Sequence, residues 1–321
     1  MAMLRDRTLL VRAARLYYEQ HKSQEQIAKE LLTSRSNVSR MLSDARAQGI
    51  VEIRIIENAL RDARLEQRIL EMLPLRSVRV ARVPQGSDET LAIGTLAAQA
   101  LTDNLKRNAT VAISWGRSLQ AMVNLIEEEH RPDLKFIPLM GGMTEIPSGI
   151  NGENLIRTLA TKFNAEFATL HAPAIVRTKE AREAFMAEPS IKEVLDSAEK
   201  ADLAIVGIGS RGSSSTNSLL RAAGIDPQTE TTFYTNLAGD LASRFYDING
   251  NIVDKKIDER IIAVELNQLR NVKHVIGLAA GADKARGMLG AINGKHITEL
   301  ITTAKGALAL LQLADDQRLG R

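Results

Sequence analysis

The chain reads as an α/β protein in two parts: an N-terminal winged helix-turn-helix module and a larger, mostly parallel α/β domain. Three observations predict this. Residues 23–42 fit two short helices across a tight turn, short apolar runs alternate with helical patterns from Ser77 onward, and 321 residues are too many for one small module. The hydrophobic fraction of 44% and charged fraction of 25% are ordinary for a packed globular chain, so a sizeable core and no long disordered tail are expected.

The first element is an amphipathic helix carrying Leu9, Leu10, Ala13, Leu16 and Tyr17 on one face. A second helix starts at Ser23, whose hydroxyl can cap it while Gln26 completes a capping box. Ile27, Ala28 and Leu31 form its apolar stripe, with small Ala28 where two helices must approach closely. Thr33 and Ser34 break the pattern, and Ser34 can cap a third helix that buries Val38, Leu42 and Ala45. The outward face then carries Ser34, Arg35, Ser36, Asn37, Ser39 and Arg40. Short hydrogen-bonding side chains with guanidinium forks suit base edges and phosphates, so operator DNA is the expected partner of this face. Gly49 can close the helix, and the alternating Ile50–Ile56 segment reads as a wing strand. Residues 1–57 hold ten Lys/Arg against seven Asp/Glu, a balance of +3, whereas the remainder holds 32 against 32. So modest an excess implies that several copies must assemble to gather enough phosphate contacts.

Residues 58–73 place Leu65, Ile69, Met72 and Leu73 on one helical face, which predicts a connecting helix that packs on its own domain or pairs subunits. The expected organisation is therefore 1–57 for DNA binding, 58–73 as connector, and 74–321 for ligand binding and assembly. Within the last part, strands are expected at 78–83, 111–114, 136–139, 167–170, 204–208, 275–278 and 297–302. Helices are expected from Asp88, from Ser118 and over 154–163.

Ligands of such sheets bind beyond the carboxyl ends of the strands, where glycine-rich turns lead into helix amino termini. Three such turns are present. Ser114, Trp115, Gly116, Arg117 and Ser118 form one, whose backbone amides, hydroxyl and guanidinium suit a phosphate. Gly141, Gly142, Met143 and Thr144 form the second, and Gly207–Ser210, with Gly209, the third. Asp240 and Lys284 add groups able to hold sugar hydroxyls and a phosphate or carbonyl; their plainer roles are a turn cap and a solvated first-turn lysine. The lone Trp115 either walls the pocket or fills the core.

Several classes are excluded or disfavoured. There are no cysteines, so disulfides, thiolate metal sites and thiol catalysis are absent, which fits a reducing cytoplasm. His21, His130, His171, His274 and His296 show no metal-ligand spacing, and no metal or cofactor is expected. No run approaches the roughly 20 apolar residues a membrane span needs, and a soluble cytoplasmic protein is expected.

With Ser34–Arg40, Ala45-Arg46, Gly49–Val51, Ser114–Ser118, Pro138–Gly142, Val206–Ser210, Gly239-Asp240 and Lys284 in this order, nearly the whole chain resembles the SorC family of bacterial transcriptional regulators. It departs from the usual pattern at Ala280-Gly281 ahead of the lysine and at Asn236. The resemblance implies a larger domain similar to ribose-5-phosphate isomerase and glucosamine-6-phosphate deaminase, binding a sugar phosphate or related metabolite. It also implies that loops 114–118 and 141–144, Asp240 and Lys284 contact this effector, and that the chain forms dimers or tetramers. The expected mechanism is a ligand-controlled DNA-binding switch without enzymatic activity, the connector carrying the coupling. The alternative is a sugar-phosphate isomerase or deaminase fused to a DNA reader, with Asp240 and Lys284 doing proton chemistry.

Overall fold

The computed structural model describes residues 7–20, 22–51, 60–143, 152–226 and 230–319, and the chain divides into two compact units, 1–57 and 58–321. The smaller unit contains α1 (Arg7–Tyr18), α2 (Gln24–Glu30) and α3 (Arg35–Ala47). Ser23 and Gln26 form the capping box on α2, with the Gln26 amide donating to Ser23 Oγ at 3.3 Å and the Ser23 amide donating to Gln26 Oε1 at 2.8 Å. Ser34 caps α3 by accepting from the Asn37 amide. Beyond α3, Gly49 takes φ +67°, and the amides of Gly49 and Ile50 donate to the carbonyls of Arg46 and Ala45, a Schellman closure. Leu10, Ala13 and Ala14 of α1 pack on Met41 and Ala45, while Leu16 joins Ile27, Ala28, Val38 and Leu42. The expected wing strand lies mostly outside the described residues.

The larger unit is built on an eight-stranded sheet. Its strands are β1 (Leu60–Arg61), β2 (Ser77–Arg82), β3 (Thr110–Ile113), β4 (Lys135–Pro138), β5 (Glu166–Phe167), β6 (Leu203–Gly207), β9 (Val275–Ala279) and β10 (Glu299–Thr303), with β7 (Gly239–Leu241) and β8 (Arg244–Tyr246) forming a separate hairpin. The order is β1-β2-β10-β9-β6-β3-β4-β5, parallel throughout except for the antiparallel β1–β2 pair. Both faces are covered, and the strands alternate accordingly: Val111, Ile113, Phe136 and Ile205 enter one core, while Ala112, Ile137, Ala204 and Val206 enter the other. From β3 the chain runs outward through β4 to β5, then returns to place β6 on the other side of β3. That reversal is the topological switch point, and it opens a crevice at the carboxyl ends of β3 and β6.

The connector differs from its expected form. Residues 60 and 61 are a short edge strand against Arg82 and Ala81, and the helix spans only Ala63–Met72, capped by Asp62. Its apolar stripe packs on its own unit: Leu65 and Ile69 are buried in the larger core, and Arg318 of the C-terminal helix donates to the Met72 carbonyl at 2.6 Å. The segment therefore belongs to the body of the larger unit and is no independent linker. The strand expected at 167–170 is also shorter, pairing only at residues 166 and 167.

Candidate functional site

In the smaller unit, the α3 residues divide as the spacing requires. Val38, Met41, Leu42 and Ala45 are buried, whereas Ser34, Arg35, Ser36, Ser39 and Arg40 are exposed. Asn37 is half-buried, and its Nδ2 donates to Thr33 Oγ1 at 2.7 Å, which holds the turn ahead of α3. Ser34 and Ser36 hydroxyls lie 3.0 Å apart. The helix thus presents two exposed guanidinium groups and a run of short hydroxyls over its first two turns, and at its amino end dipole and charge both favour phosphate.

In the larger unit, the strand ends form two adjoining pockets. A narrow one of about 80 Å³ contains Ser114, Trp115, Gly116, Arg117 and Ser118 from the loop after β3, Gly209 from the loop after β6, and Asp240 and Lys284. A roomier one of about 500 Å³ contains Gly141, Gly142 and Met143 from the loop after β4, with His171, Pro173 and Phe185 opposite. Ser114, Trp115 and Met140 line both, so Trp115 walls the site and also packs on the core. The three turns accordingly meet at a shared wall, with the 141–143 turn on its far side; Thr144 lies outside the described residues. Ser114 Oγ accepts from the Gly207 amide at 3.1 Å, which ties the β3 and β6 loops across the switch point.

The polar centre of the narrow pocket is buried and incompletely paired. Thr216, at the start of the helix Ser214–Ala222, donates its hydroxyl to Asp240 Oδ1 at 2.6 Å, and Ser213 donates to Thr216 at 2.9 Å. The Gly209 amide donates to the Asp240 carbonyl at 2.9 Å. This approach needs glycine, because a Cβ on residue 209 would collide with Asp240 Oδ1. Lys284 ends a 3-10 turn ahead of the helix Ala285–Asn293 and is only 9% exposed, so it is no solvated surface lysine. Among the described residues its ammonium has neither a hydrogen-bond acceptor nor an ion-pair partner. Burial pulls that ammonium below its ordinary value, against the charges of Asp240 and Asp283. Burial likewise pushes the Asp240 carboxyl above its ordinary value, against the Thr216 hydrogen bond and the Lys284 charge. The half that holds the amine and the half that holds the acid are therefore each strained by desolvation, and an anionic, hydroxyl-bearing ligand relieves both.

Sequence reasoning missed Thr216 and the β7–β8 hairpin. The Gly207-Ile-Gly-Ser-Arg-Gly212 run followed by Ser213–Thr216 carries the strand–glycine loop–helix signal that locates Thr216, whereas nothing local marks the hairpin. Among the described residues no group of three His, Asp or Glu side chains has metal-binding geometry, and no helix is long and apolar enough to cross a membrane.

Comparison with known proteins bears on both units. Residues 57–312 match the Sugar-bind family, a sugar-binding domain. The chain is 31% identical to the sorbitol operon regulator of Klebsiella pneumoniae over 311 residues, 96% of this chain and 98% of that protein. The crystal structure of that full-length regulator superposes with a TM-score of 0.69, covering 95% of this chain and 98% of the other. The deoxyribonucleoside regulator of Bacillus subtilis is 26% identical over 305 residues, covering 94% of this chain and 97% of that protein. The erythritol catabolism regulatory protein of Brucella abortus is 26% identical over 313 residues, covering 95% and 97%.

Proposed function

Because the chain belongs to the SorC family of bacterial transcriptional regulators, we propose that it controls a carbohydrate catabolic operon in the cytoplasm through α3 on operator DNA and a sugar phosphate in the strand-end pocket. The single observation that carries the ligand assignment is the buried Lys284 ammonium, which has no hydrogen bond or ion pair among the described residues, beside the Asp240–Thr216 hydrogen bond. An anion at Lys284 and the amino end of the 117–125 helix, with hydroxyls at Asp240, places opposite charge beside the buried ammonium and donors beside the buried carboxyl. Arg117 is exposed at the mouth and draws the anion in.

On this reading Arg35, Ser36, Asn37, Ser39 and Arg40 address bases and phosphates, with Ser34 holding the amino end of the helix. The chain acts as a homo-oligomer, since one copy carries too little positive charge for tight binding. The effector shifts DNA affinity only by as much as it prefers one assembly state over the other. The test pairs calorimetry with gel-shift titration, using fructose 1-phosphate, fructose 6-phosphate, glucose 6-phosphate, ribose 5-phosphate and the free sugars. Binding confined to phosphorylated ligands, with a matching change in operator affinity, is expected. Binding of free sugars alone, or of none, sinks the assignment.

The desolvated acid and amine also favour a second reading, since such a pair is suited to proton transfer in an isomerase or deaminase. Release of product from the same phosphates at a measurable rate would establish it; a binder returns them unchanged.

A further inference from the structure

We propose that Ser243 is a specificity-determining residue of the ligand pocket, its hydroxyl reading a hydroxyl of the sugar moiety next to the group held by Asp240. The proposal rests on the sugar-phosphate reading of that pocket and assigns a contact to a residue outside the glycine-rich loops.

β7 and β8 are joined by two residues only, since Leu241 pairs directly with Arg244. Both take positive φ, 45° at Ala242 and 69° at Ser243. A two-residue turn of this hand is the kind asparagine and glycine populate, and a β-carbon at either position is strained. Strain of this sort persists where the surroundings over-determine it, and it concentrates at ligand sites. The surroundings here are fixed on both sides. Ahead of the turn, Asp240 is held by Thr216 and by the Gly209 amide. After it, the Arg244 guanidinium donates to the carbonyls of Val264 at 2.9 Å and Ala263 at 2.8 Å, and to Asp258 Oδ1 at 2.7 Å.

What the strain delivers is a hydroxyl in the pocket. Ser243 is 1% exposed and lines the same narrow cavity as Asp240 and Lys284. Among the described residues the only hydrogen-bond partner of its Oγ is the thioether sulfur of Met140, at 3.7 Å. A thioether is a weak acceptor, so the group is desolvated with little return. Glycine would close the turn without strain and without a buried hydroxyl. The side chain therefore adds one thing to this turn, a hydroxyl donor and acceptor on a residue that lines the cavity, held only by a thioether that also lines it. A pocket that hydrogen-bonds a substrate hydroxyl discriminates strongly against analogues lacking it, because its own polar group is then left unpaired.

The test compares wild type, Ser243→Ala and Ser243→Gly by calorimetry against fructose 1-phosphate, fructose 6-phosphate, glucose 6-phosphate, ribose 5-phosphate and inorganic phosphate. The tightest sugar phosphate is expected to bind about tenfold more weakly to both variants. The spread among the four sugar phosphates narrows, while inorganic phosphate binds as to wild type. Without ligand, Ser243→Gly melts about 2 °C higher as the turn relaxes, and Ser243→Ala does not. Unchanged affinities and ranking in both variants would overturn the proposal and leave Ser243 a strained core residue. Equal loss of inorganic phosphate would also overturn it, since the hairpin would then support the whole pocket. Failure of every sugar phosphate to bind wild type is a different result: it removes the sugar-phosphate reading itself.

Discussion

Lys284 and Asp240 together set how the pocket responds to pH. The lysine ammonium is already below its ordinary value of 10.5 in the free protein because it is buried, and an anion placed beside it raises that value again. Binding therefore takes up a proton. Affinity for a sugar phosphate is full while the free-state ammonium is protonated and falls as pH rises through its lowered pKa, at a pH below 10.5. The phosphate itself is already a dianion above about pH 7, so it adds no dependence in that range. Calorimetric Kd values should rise for wild type as pH is raised from 7 to 10.5, and Lys284→Ala should bind weakly with a flat profile; a wild-type profile still flat at pH 10.5 would place the anion elsewhere. Gly209→Ala belongs to the same scale. Its methyl collides with Asp240 Oδ1, so ligand binding is expected to be lost and the melting temperature lowered by several degrees. The sequence could mark Asp240 and Lys284 as candidates because glycine turns flank them, but their burial depends on β7 packing against the 285–293 helix, a contact between segments far apart in the chain. The same holds for Thr216, which lies 24 residues from the carboxylate it serves.

At the scale of the element, α2 and α3 were legible because their ends are encoded locally. Ser23, Gln26, Ser34 and Gly49 each satisfy backbone groups within a few residues of themselves, so pattern and structure coincide. The connector was not legible in the same way. Residues 60 and 61 are a strand only because β2 lies beside them, a pairing that no helical periodicity reports, and the expected helix began five residues early. The wing, although patterned, falls where the structure describes only Ile50 and Val51. Two predictions attach to α3. Ser34→Ala removes the cap and should lower the stability of the smaller unit by about 1 kcal/mol, read as a shift in its denaturation midpoint. Arg35→Ala and Arg40→Ala leave the exposed face otherwise intact. A lost base contact should weaken operator binding by about 1 to 3 kcal/mol, whereas a lost phosphate contact should mainly flatten the salt dependence. Gel-shift titrations at two salt concentrations separate these outcomes, and wild-type affinity in both variants would move the DNA contact away from α3.

At the scale of the whole molecule, the parallel sheet was legible from its alternation of apolar runs and helical patterns, while the strand order was not, since nothing in the sequence states that β6 enters between β3 and β9. The position of the cut between units has the clearest experimental consequence. Residues 58–321 form one compact body that includes β1 and the 63–72 helix, with Leu65 and Ile69 buried in its core and Met72 bonded to Arg318. Glu66 reinforces the same edge, accepting from the Val80 amide at 2.9 Å and pairing with Arg61. A fragment beginning at residue 58 should therefore fold, melt as a single transition and bind sugar phosphate with wild-type affinity. A fragment beginning at residue 74, where the sequence alone places the start of the ligand-binding domain proper, exposes the surfaces that Leu65 and Ile69 cover. Loss of two such buried side chains costs about 4 to 10 kcal/mol by analogy with large-to-small core substitutions, comparable to the entire stability of many domains. That fragment is expected to be insoluble or to melt far lower. Parallel expression, thermal denaturation and sedimentation of the two fragments decide the matter. Equal stability would show that the helix is dispensable to the larger unit and return it to the role of a linker; a monomeric 58–321 fragment would assign the main subunit contact to residues 1–57.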